Sequence, residues 1–374
     1  MKIGMICYPS YGGSGVVATE LGEHLADRGH EVHFISYERP FRLRGFHGNL
    51  FLHEVEVFDY PLFKFPPYSI ALASTIADVV RTHNLDILHA HYAIPHAVSG
   101  YLAKQMLREQ GIPVVTTLHG TDITILSNDR QFYDITKFCL EESDGVTAVS
   151  ENLSRETREL FGIKEVETIY NFIDPAVYNR NYQPCCRGVF SKQEDKIIVH
   201  TSNFRPLKRV LDVVRIFAGI NRQLSSQLLL VGDGPDRLAA QHLAQELGIA
   251  HRVHFLGKQE AVVQILSQAD LFLLPSEKES FGLSALEAMA CEVPVIATKT
   301  GGVPEVVVNG VTGYLAAIGD IEGMTSLAVN LLQDRDLHNK MGLAARERAI
   351  NEFHVDKVVA QYEDFYRRVC GAGC

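Results

Sequence analysis

The chain has 374 residues, enough for two domains of ordinary size. Its formal net charge of −10 excludes a general nucleic-acid binder built on a basic face. Charged residues at 21% and hydrophobic ones at 46% give the balance of a folded enzyme, not of a disordered chain. No run reaches the ~18 apolar residues of a membrane helix, so no stable membrane insertion is expected. The opening MKIGMICYPS reads as a strand entering a loop and not as a signal peptide, which predicts a cytoplasmic protein. Cys7, Cys139, Cys185, Cys186, Cys291, Cys370 and Cys374 are scattered, odd in number and without C-x-x-C spacing, as expected for reduced thiols.

Short β-branched runs alternate with longer amphipathic stretches. Strands are predicted at Ile3–Cys7, Glu31–Ser36, Ile87–Ala90, Val114–Leu118 and Gly145–Val149. Helices are predicted between them at Gly15–Arg28, Ile70–His83 and Ala97–Gln110. Residues 174–195 carry Pro175, Pro184 and mixed charge with little periodicity, and read as a linker. The alternation restarts with strands at Ile197–Thr201, Leu228–Val231, Val253–Phe255, Leu271–Leu274 and Val293–Ala297. Helices are predicted at Val210–Asn221, Asp236–Leu247, Ala261–Ser267 and Leu283–Ala290, then over 320–333, 335–352 and 355–370. The pattern predicts an α/β protein with two doubly wound Rossmann-like domains facing a cleft. The expected domains are 1–170 and 171–354. Ligands of such sheets bind at the carboxyl ends of the strands.

Gly12-Gly13-Ser14-Gly15 follows the first strand and opens a helix, where free N–H groups and the helix dipole favour a phosphate. Gly13-x-Gly15-x-x-Ala18 with Glu38 also fits a dinucleotide fingerprint, so an NAD-dependent oxidoreductase stays open. Ser202–Arg209 follows the first strand of the second half. There Arg205 and Lys208 are spaced to face one anion and stabilise a diphosphate leaving group without a metal. Glu279 lies in the loop after Leu271–Leu274, and Glu287 lies eight residues on, two turns into a helix. The first carboxylate suits sugar hydroxyls and the second suits ribose hydroxyls. The N–H groups of Phe281, Gly282 and Leu283 suit a phosphate between them. A paired-carboxylate glycosidase is a further reading of the two glutamates.

His119 ends the strand Val114–Leu118 and can donate or accept a hydrogen bond there. His89 and His91 would share one strand face with His96 nearby. That raises a metal site, but no carboxylate or cysteine completes it, and His89 reads better as a satisfied core histidine. Asp334-Arg335-Asp336 reads as a solvated helix start and not as a metal-binding pair.

Together these motifs resemble glycosyltransferase family 4 of the GT-B architecture. The features are Glu279-x7-Glu287, Gly301-Gly302-Val303-Pro304-Glu305-Val306 and Val231-Gly232-Asp233-Gly234-Pro235. The stretches Cys7–Glu20, Pro40–Leu43, Phe63–Tyr68, His89–Val98, Thr117–Thr124 and Ile169–Asp174 resemble one branch of that family, which glycosylates L-malate in bacillithiol biosynthesis. The resemblance implies a retaining transfer of N-acetylglucosamine from UDP-GlcNAc to the hydroxyl of L-malate. It implies Glu279, His119, Arg205 and Lys208 as the catalytic set, with Glu279 on the sugar, Glu287 on the ribose and no secure protein nucleophile. Donor binding would use Gly13, Ser14, Gly15, Asn203, Arg205, Lys208, Glu279, Phe281, Gly282, Leu283 and Glu287. Acceptor candidates are Lys64, Tyr92 and Thr121, with Arg42 behind them, because a dicarboxylate needs cations and hydroxyl donors.

No metal or other cofactor is expected to be required, and a homo-oligomer is allowed. An inositol phosphate or a lipid is the alternative acceptor, the latter suggested by the apolar stretch Tyr60–Tyr68. Glu292 departs from the family, which has glycine at that turn, so local strain or an altered turn is expected there. The resemblance also implies that the last helix (355–374) crosses back to the first domain.

Overall fold

The computed structural model describes residues 1–10, 12–43, 45, 47–58, 62, 64–124, 130–182, 187–190 and 195–371. The chain forms two units, one of residues 1–171 with 356–374 and one of residues 172–355. The elements of the first unit are β1 (Lys2–Ile6), α1 (Gly13–Asp27), β2 (Glu31–Ser36), β3 (Leu50–Glu54), α2 (Tyr68–His83), β4 (Ile87–His91), α3 (Val98–Met106) and β5 (Val114–Leu118). They continue with α4 (Thr121–Thr124), α5 (Arg130–Glu142), β6 (Gly145–Ala148), α6 (Glu151–Phe161) and β7 (Glu167–Thr168). The strands form a parallel sheet in the order β3-β2-β1-β4-β5-β6-β7. Every residue of β4 and β5 is buried, as a sheet covered by helices on both faces requires.

The second unit holds α7 (Arg187–Phe190), β8 (Lys196–Thr201), α8 (Val210–Asn221), β9 (Ser226–Val231), α9 (Arg237–Glu246), β10 (Val253–Gly257), α10 (Val262–Leu266) and β11 (Leu271–Leu274). It continues with α11 (Leu283–Ala290), β12 (Val295–Thr298), α12 (Val303–Val306), β13 (Gly313–Ala316), α13 (Ile321–Gln333) and α14 (Arg335–Phe353). Its parallel sheet runs β10-β9-β8-β11-β12-β13. Both sheets change direction of winding beside their first strand, between β1 and β4 and between β8 and β11. Those switch points are where loops splay apart and ligands of open α/β sheets bind.

The last helix, α15 (Val355–Cys370), packs in the first unit from Asp356 onward. Tyr362 and Tyr366 are fully buried, and Tyr366 OH meets His89 Nδ1 at 2.6 Å. Glu363 accepts from Arg28 at 3.0 Å and pairs with His30 at 2.8 Å. A Cβ on Gly145 would sit 2.7 Å from the Phe365 ring, so this glycine lets the helix lie close on β6.

Periodicity does not expect β3, β7, β13, α5, α6 or α12. β3 is a short edge strand, LFLHE, without alternation, and α6 is rich in charge, so neither carries a clear period. The α6 boundaries are nonetheless clear locally. Ser150 Oγ accepts from Leu153 N at 3.1 Å, and Gly162 closes the helix at φ +70°. The described residues of the stretch expected to be a linker are instead packed on the second unit. Tyr178 OH donates to Glu287, Arg180 donates to the Ala269 carbonyl, and Arg187 donates to Asp270 at 2.9 Å. Cys185, Cys186 and Cys374 lie outside the described residues, as do parts of Tyr60–Tyr68. Cys7, Cys139 and Cys291 are free and buried, and burial pushes each thiol up to about 12. Asp334 caps α14 by accepting from Leu337 N at 2.9 Å, which is the helix-start role read from its sequence.

Glu292 follows α11 at φ +59°, the left-handed region that disfavours a β-carbon. Its Arg346 partner is 3.8 Å away and partly exposed, so that pair offsets little. Glu292→Gly should therefore raise stability by about 1 kcal/mol in urea denaturation. A lower midpoint in the variant would show that the turn is not strained.

Candidate active site

In the second unit two loops leave adjacent strands, β8 and β11. The first begins at Ser202. His200 Nδ1 donates to the Leu273 carbonyl at 2.9 Å, so Nε2 accepts from Ser202 Oγ at 2.8 Å. Ser202 Oγ in turn accepts from Phe204 N at 3.2 Å. Burial pushes His200 down to about 4, so this link is neutral. Two glycines of Val231–Pro235 make room for the loop. A Cβ on Gly232 would lie 1.8 Å from the Ser202 carbonyl oxygen, and one on Gly234 would lie 2.0 Å from that of Asn203. Asn203 Oδ1 is buried with no hydrogen-bond partner among the described residues. Arg205 is exposed, and Lys208 closes a single turn begun by Pro206.

The second loop carries Glu279. Its Oε1 accepts from Lys208 Nζ at 2.6 Å and from Ser276 Oγ at 2.9 Å. Both charged side chains are mostly buried, at 19% and 10% exposure, so each depends on the other. The loop's path is set from behind by Gly301-Gly302. Gly302 N donates to the Glu279 carbonyl at 3.0 Å, and a Cβ on Gly301 would lie 1.8 Å from that oxygen. Gly282, at φ +98°, then turns the chain into α11, whose start has no side-chain cap. An uncapped helix start of this kind favours an anion. Phe281 is buried against Phe353, with ring centroids 5.5 Å apart. Glu287 is 6% exposed, and its Oε1 accepts from Tyr178 OH at 2.7 Å. Sequence reading missed both Ser276 and Tyr178. Ser276 has no spacing signal, and Tyr178 sits in the stretch read as a linker.

In the first unit Gly13, Ser14 and Gly15 form the start of α1 after β1. A Cβ on Gly15 would lie 2.6 Å from the Ser10 carbonyl oxygen and 2.9 Å from that of Tyr8, so only glycine fits this turn. Gly12 supplies no side-chain cap, which leaves the helix start open to an anion.

His119 follows β5, and its Nε2 is 2.9 Å from His91 Nδ1. His91 Nε2 faces Met5 Sδ at 3.1 Å. Sulfur only accepts, so His91 Nδ1 takes a hydrogen bond from His119 Nε2–H, and His119 Nδ1 is left as an acceptor. Burial, and then His96, push His119 down to about 3. Burial with the neighbouring histidines holds His91 well below its ordinary value. The pair is thus neutral: it orients and accepts, and carries no charge.

Tyr92 stacks on His119 at 5.5 Å, and Tyr8 meets Tyr92 edge-on at 5.6 Å. Tyr92 holds φ +88°, a strained backbone of the kind found at functional sites. Thr121 opens α4 two residues after His119. Tyr92, His119 and Thr121 are therefore brought together. Arg42 is paired with Glu20 at 3.2 Å, and Lys64 is exposed with its Nζ over its neighbour Phe65. His89 is a satisfied core histidine, with one nitrogen on Tyr366 and the other on Thr117 at 2.6 Å. Neither His89 nor His91 belongs to a metal-ligand cluster among the described residues.

Comparison with known proteins places this geometry in a class. A family model described as Glycosyltransferase Family 4 matches residues 11–177, and one described as Glycosyl transferases group 1 matches residues 187–348. The chain belongs to the family 4 glycosyltransferases, built on two Rossmann-like domains. It is 52% identical over 368 residues to the N-acetyl-alpha-D-glucosaminyl L-malate synthase of Bacillus anthracis, covering 98% of this chain and 96% of that one. It is 30% identical to the D-inositol 3-phosphate glycosyltransferase of Nocardia farcinica over 70% of this chain and 61% of that one. The sucrose-phosphate synthase of Thermosynechococcus elongatus shares the fold, with a TM-score of 0.82 at 22% identity and complete coverage of both chains. Anabaena Alr3699/HepE, solved in complex with UDP-glucose, has a TM-score of 0.79 at 22% identity, covering 98% of this chain and 99% of that one.

The buried histidines give the fold a pH dependence. Burial pushes His89 and His119 down to about 3 and His96 and His200 down to about 4. The unfolded chain takes up these protons near pH 6.5, and the folded chain does not. Stability is therefore full above about pH 6.5 and falls as the pH drops toward about 4. Urea midpoints should stay nearly level from about pH 8 to pH 7 and decrease from about pH 6.5 to pH 5; an unchanged midpoint between pH 7 and pH 5 would contradict the neutral histidines.

Proposed function

We propose that the chain is a retaining, UDP-sugar-dependent glycosyltransferase that moves N-acetylglucosamine from UDP-GlcNAc to the hydroxyl of L-malate, as in bacillithiol biosynthesis. The observation that carries this reading is the 52% identity, over nearly the whole chain, to a protein named for that product. The Lys208–Glu279 pair supports it chemically, because it joins a phosphate-binding cation to a sugar-binding carboxylate at 2.6 Å.

The second unit holds the donor. Lys208, Arg205 and the start of α11 at Phe281, Gly282 and Leu283 take the diphosphate. Glu279 accepts from the sugar hydroxyls, and Glu287 accepts from the ribose hydroxyls with its other oxygen while Tyr178 orients it. Asn203 Oδ1 offers a buried acceptor that a donor hydroxyl or N–H satisfies. In the first unit, the start of α1 at Gly13, Ser14 and Gly15 suits a phosphate, and His119 suits a sugar hydroxyl. Tyr92 and Thr121 contact the acceptor, with Lys64 and Arg42 balancing its carboxylates.

In the reaction the bond from the anomeric carbon to the β-phosphate oxygen breaks. A new bond forms from that carbon to the malate hydroxyl oxygen on the same face. The hydroxyl proton passes to the departing phosphate, and UDP leaves. Lys208, Arg205 and the helix start stabilise the charge that develops on the diphosphate. No step of this scheme requires a metal. A cytoplasmic site of action is consistent with the free, buried thiols. Among the described residues no helix is long and apolar enough to cross a membrane.

Mass spectrometry of a reaction containing UDP-GlcNAc and L-malate tests the reading. The expected product is N-acetylglucosaminyl malate with the α-configuration by NMR. Glu279→Gln should reduce turnover by about 10²-fold or more. UDP release with an inositol phosphate and not with malate would replace the acceptor. No UDP release with any acceptor would overturn the transferase assignment.

A further inference from the structure

Three histidines meet at the outer edge of the first sheet. His33 lies in β2, His53 lies in the edge strand β3, and His83 is the last residue of α2. β2 and β3 pair in parallel with His33 opposite Phe51, which places His53 on the same sheet face as His33, two residues along. That face is the one α2 covers, and its C-terminal histidine completes the group. The ring centroids of His33 are 5.1 Å from those of His53 and 4.5 Å from those of His83. One ring nitrogen from each residue lies within 4.8 Å of the other two.

The arrangement has a second feature that mere packing does not need. Glu31 Oε1 lies 2.9 Å from His33 Nε2. A carboxylate only accepts, so Nε2 carries the hydrogen and Nδ1 keeps its lone pair. That Nδ1 faces His53 Nε2 at 2.9 Å, inside the cluster. A carboxylate on the outer nitrogen of an imidazole, fixing its tautomer and raising its basicity, is the usual support of a metal-ligating histidine. Lys2 braces the carboxylate at 3.3 Å and donates to the His83 carbonyl at 3.0 Å, which ties the end of α2 to the start of β1.

We propose that His33, His53 and His83 form a binding site for one divalent transition-metal ion of the zinc class. Three imidazoles select zinc, nickel, cobalt or copper over magnesium and calcium, which require oxygen ligands. Tetrahedral zinc–nitrogen bonds of about 2.0–2.1 Å set nitrogens about 3.3 Å apart, so His33 and His53 need to separate by only a few tenths of an ångström. His33 is fully buried, whereas His53 and His83 are partly exposed, so the ion has a path in and water can occupy its fourth position. Burial also holds His33 below its ordinary value and His53 down to about 4, which keeps both rings in the neutral, ligating form. The site lies at the edge of the sheet, and Lys2 at the start of β1 donates to the carbonyl of His83 at the end of α2. Its ion would pin the edge strand β3 and α2 to β2, and would not take part in sugar transfer.

The test uses the untagged, full-length protein stripped of metal by chelation. Cobalt(II) titration should reach one ion per chain, with visible d–d bands and no thiolate charge-transfer band. Zinc titrated by calorimetry should show the same stoichiometry and raise the thermal midpoint. His53→Ala and His83→Gln should each weaken zinc binding by at least about 10-fold and abolish the thermal shift, and Glu31→Gln should weaken binding by about 10-fold while keeping the stoichiometry. His83→Gln sits at a partly exposed helix end, so its loss of binding is read on a folded protein, checked by circular dichroism. Absence of stoichiometric binding to the wild type at micromolar metal would overturn the proposal. So would undiminished binding by the His53→Ala, His83→Gln double variant.

Discussion

The Lys208–Glu279 ion pair is the constraint on which the donor half of the site depends. At 2.6 Å and mostly buried, neither charge is tolerable without the other. Ser276 takes up a further lone pair of the same carboxylate oxygen, so Glu279 is held at one orientation. The pair joins the loop after β8 to the loop after β11 across the winding switch of the second sheet. The two loops are thereby joined as one surface, with a cation beside a carboxylate; under the proposed function the cation serves the diphosphate and the carboxylate the sugar.

Close backbone approaches make that surface possible. Gly232 and Gly234 admit the Ser202–Asn203 backbone, and Gly301 admits the Glu279 carbonyl. A side chain at any of the three would push a binding loop off its path. The glycines of the Val231–Pro235 and Gly301–Val306 motifs therefore act by shaping the loops of Asn203 and Glu279. The first unit uses the same device at Gly15, against Tyr8 and Ser10. There the electrostatics differ, because His91 and His119 are held neutral. His119 is oriented through His91 and Met5, and offers a lone pair and a ring face in place of a charge.

Much of this was legible in the sequence because the physics is local. Parallel strands such as Leu271–Leu274 are continuous apolar runs, and the helices between them repeat at helical spacing, so the alternation showed two α/β sheets. Glu279, Lys208 and His119 stood at strand ends, where such sheets bind ligands. What was not legible depends on distant pairing. The spacing of Glu279 and Lys208 along the chain is 71 residues, and nothing local announces their contact. Tyr178 lay in a stretch of prolines and mixed charge whose order comes from packing on α11 and α14, through Glu287 and Arg346. The edge strand β3 reads LFLHE, three apolar residues in a row followed by two polar ones, so it shows no period of two. His33, His53 and His83 come from three separate elements and form no motif, and only the fold brings them together.

The central claim is that Glu279 reads the sugar while Lys208 reads the diphosphate. Calorimetric titration of UDP and of UDP-GlcNAc into the wild type and into Glu279→Gln and Lys208→Met separates the two roles. The account predicts that Glu279→Gln, whose amide oxygen can still accept from Lys208 and Ser276 and so keep the loops joined, retains UDP affinity but loses the preference for UDP-GlcNAc over UDP, whereas Lys208→Met loses affinity for both. Equal loss of UDP and UDP-GlcNAc binding in Glu279→Gln would contradict it, because the carboxylate would then serve the loops and not the sugar.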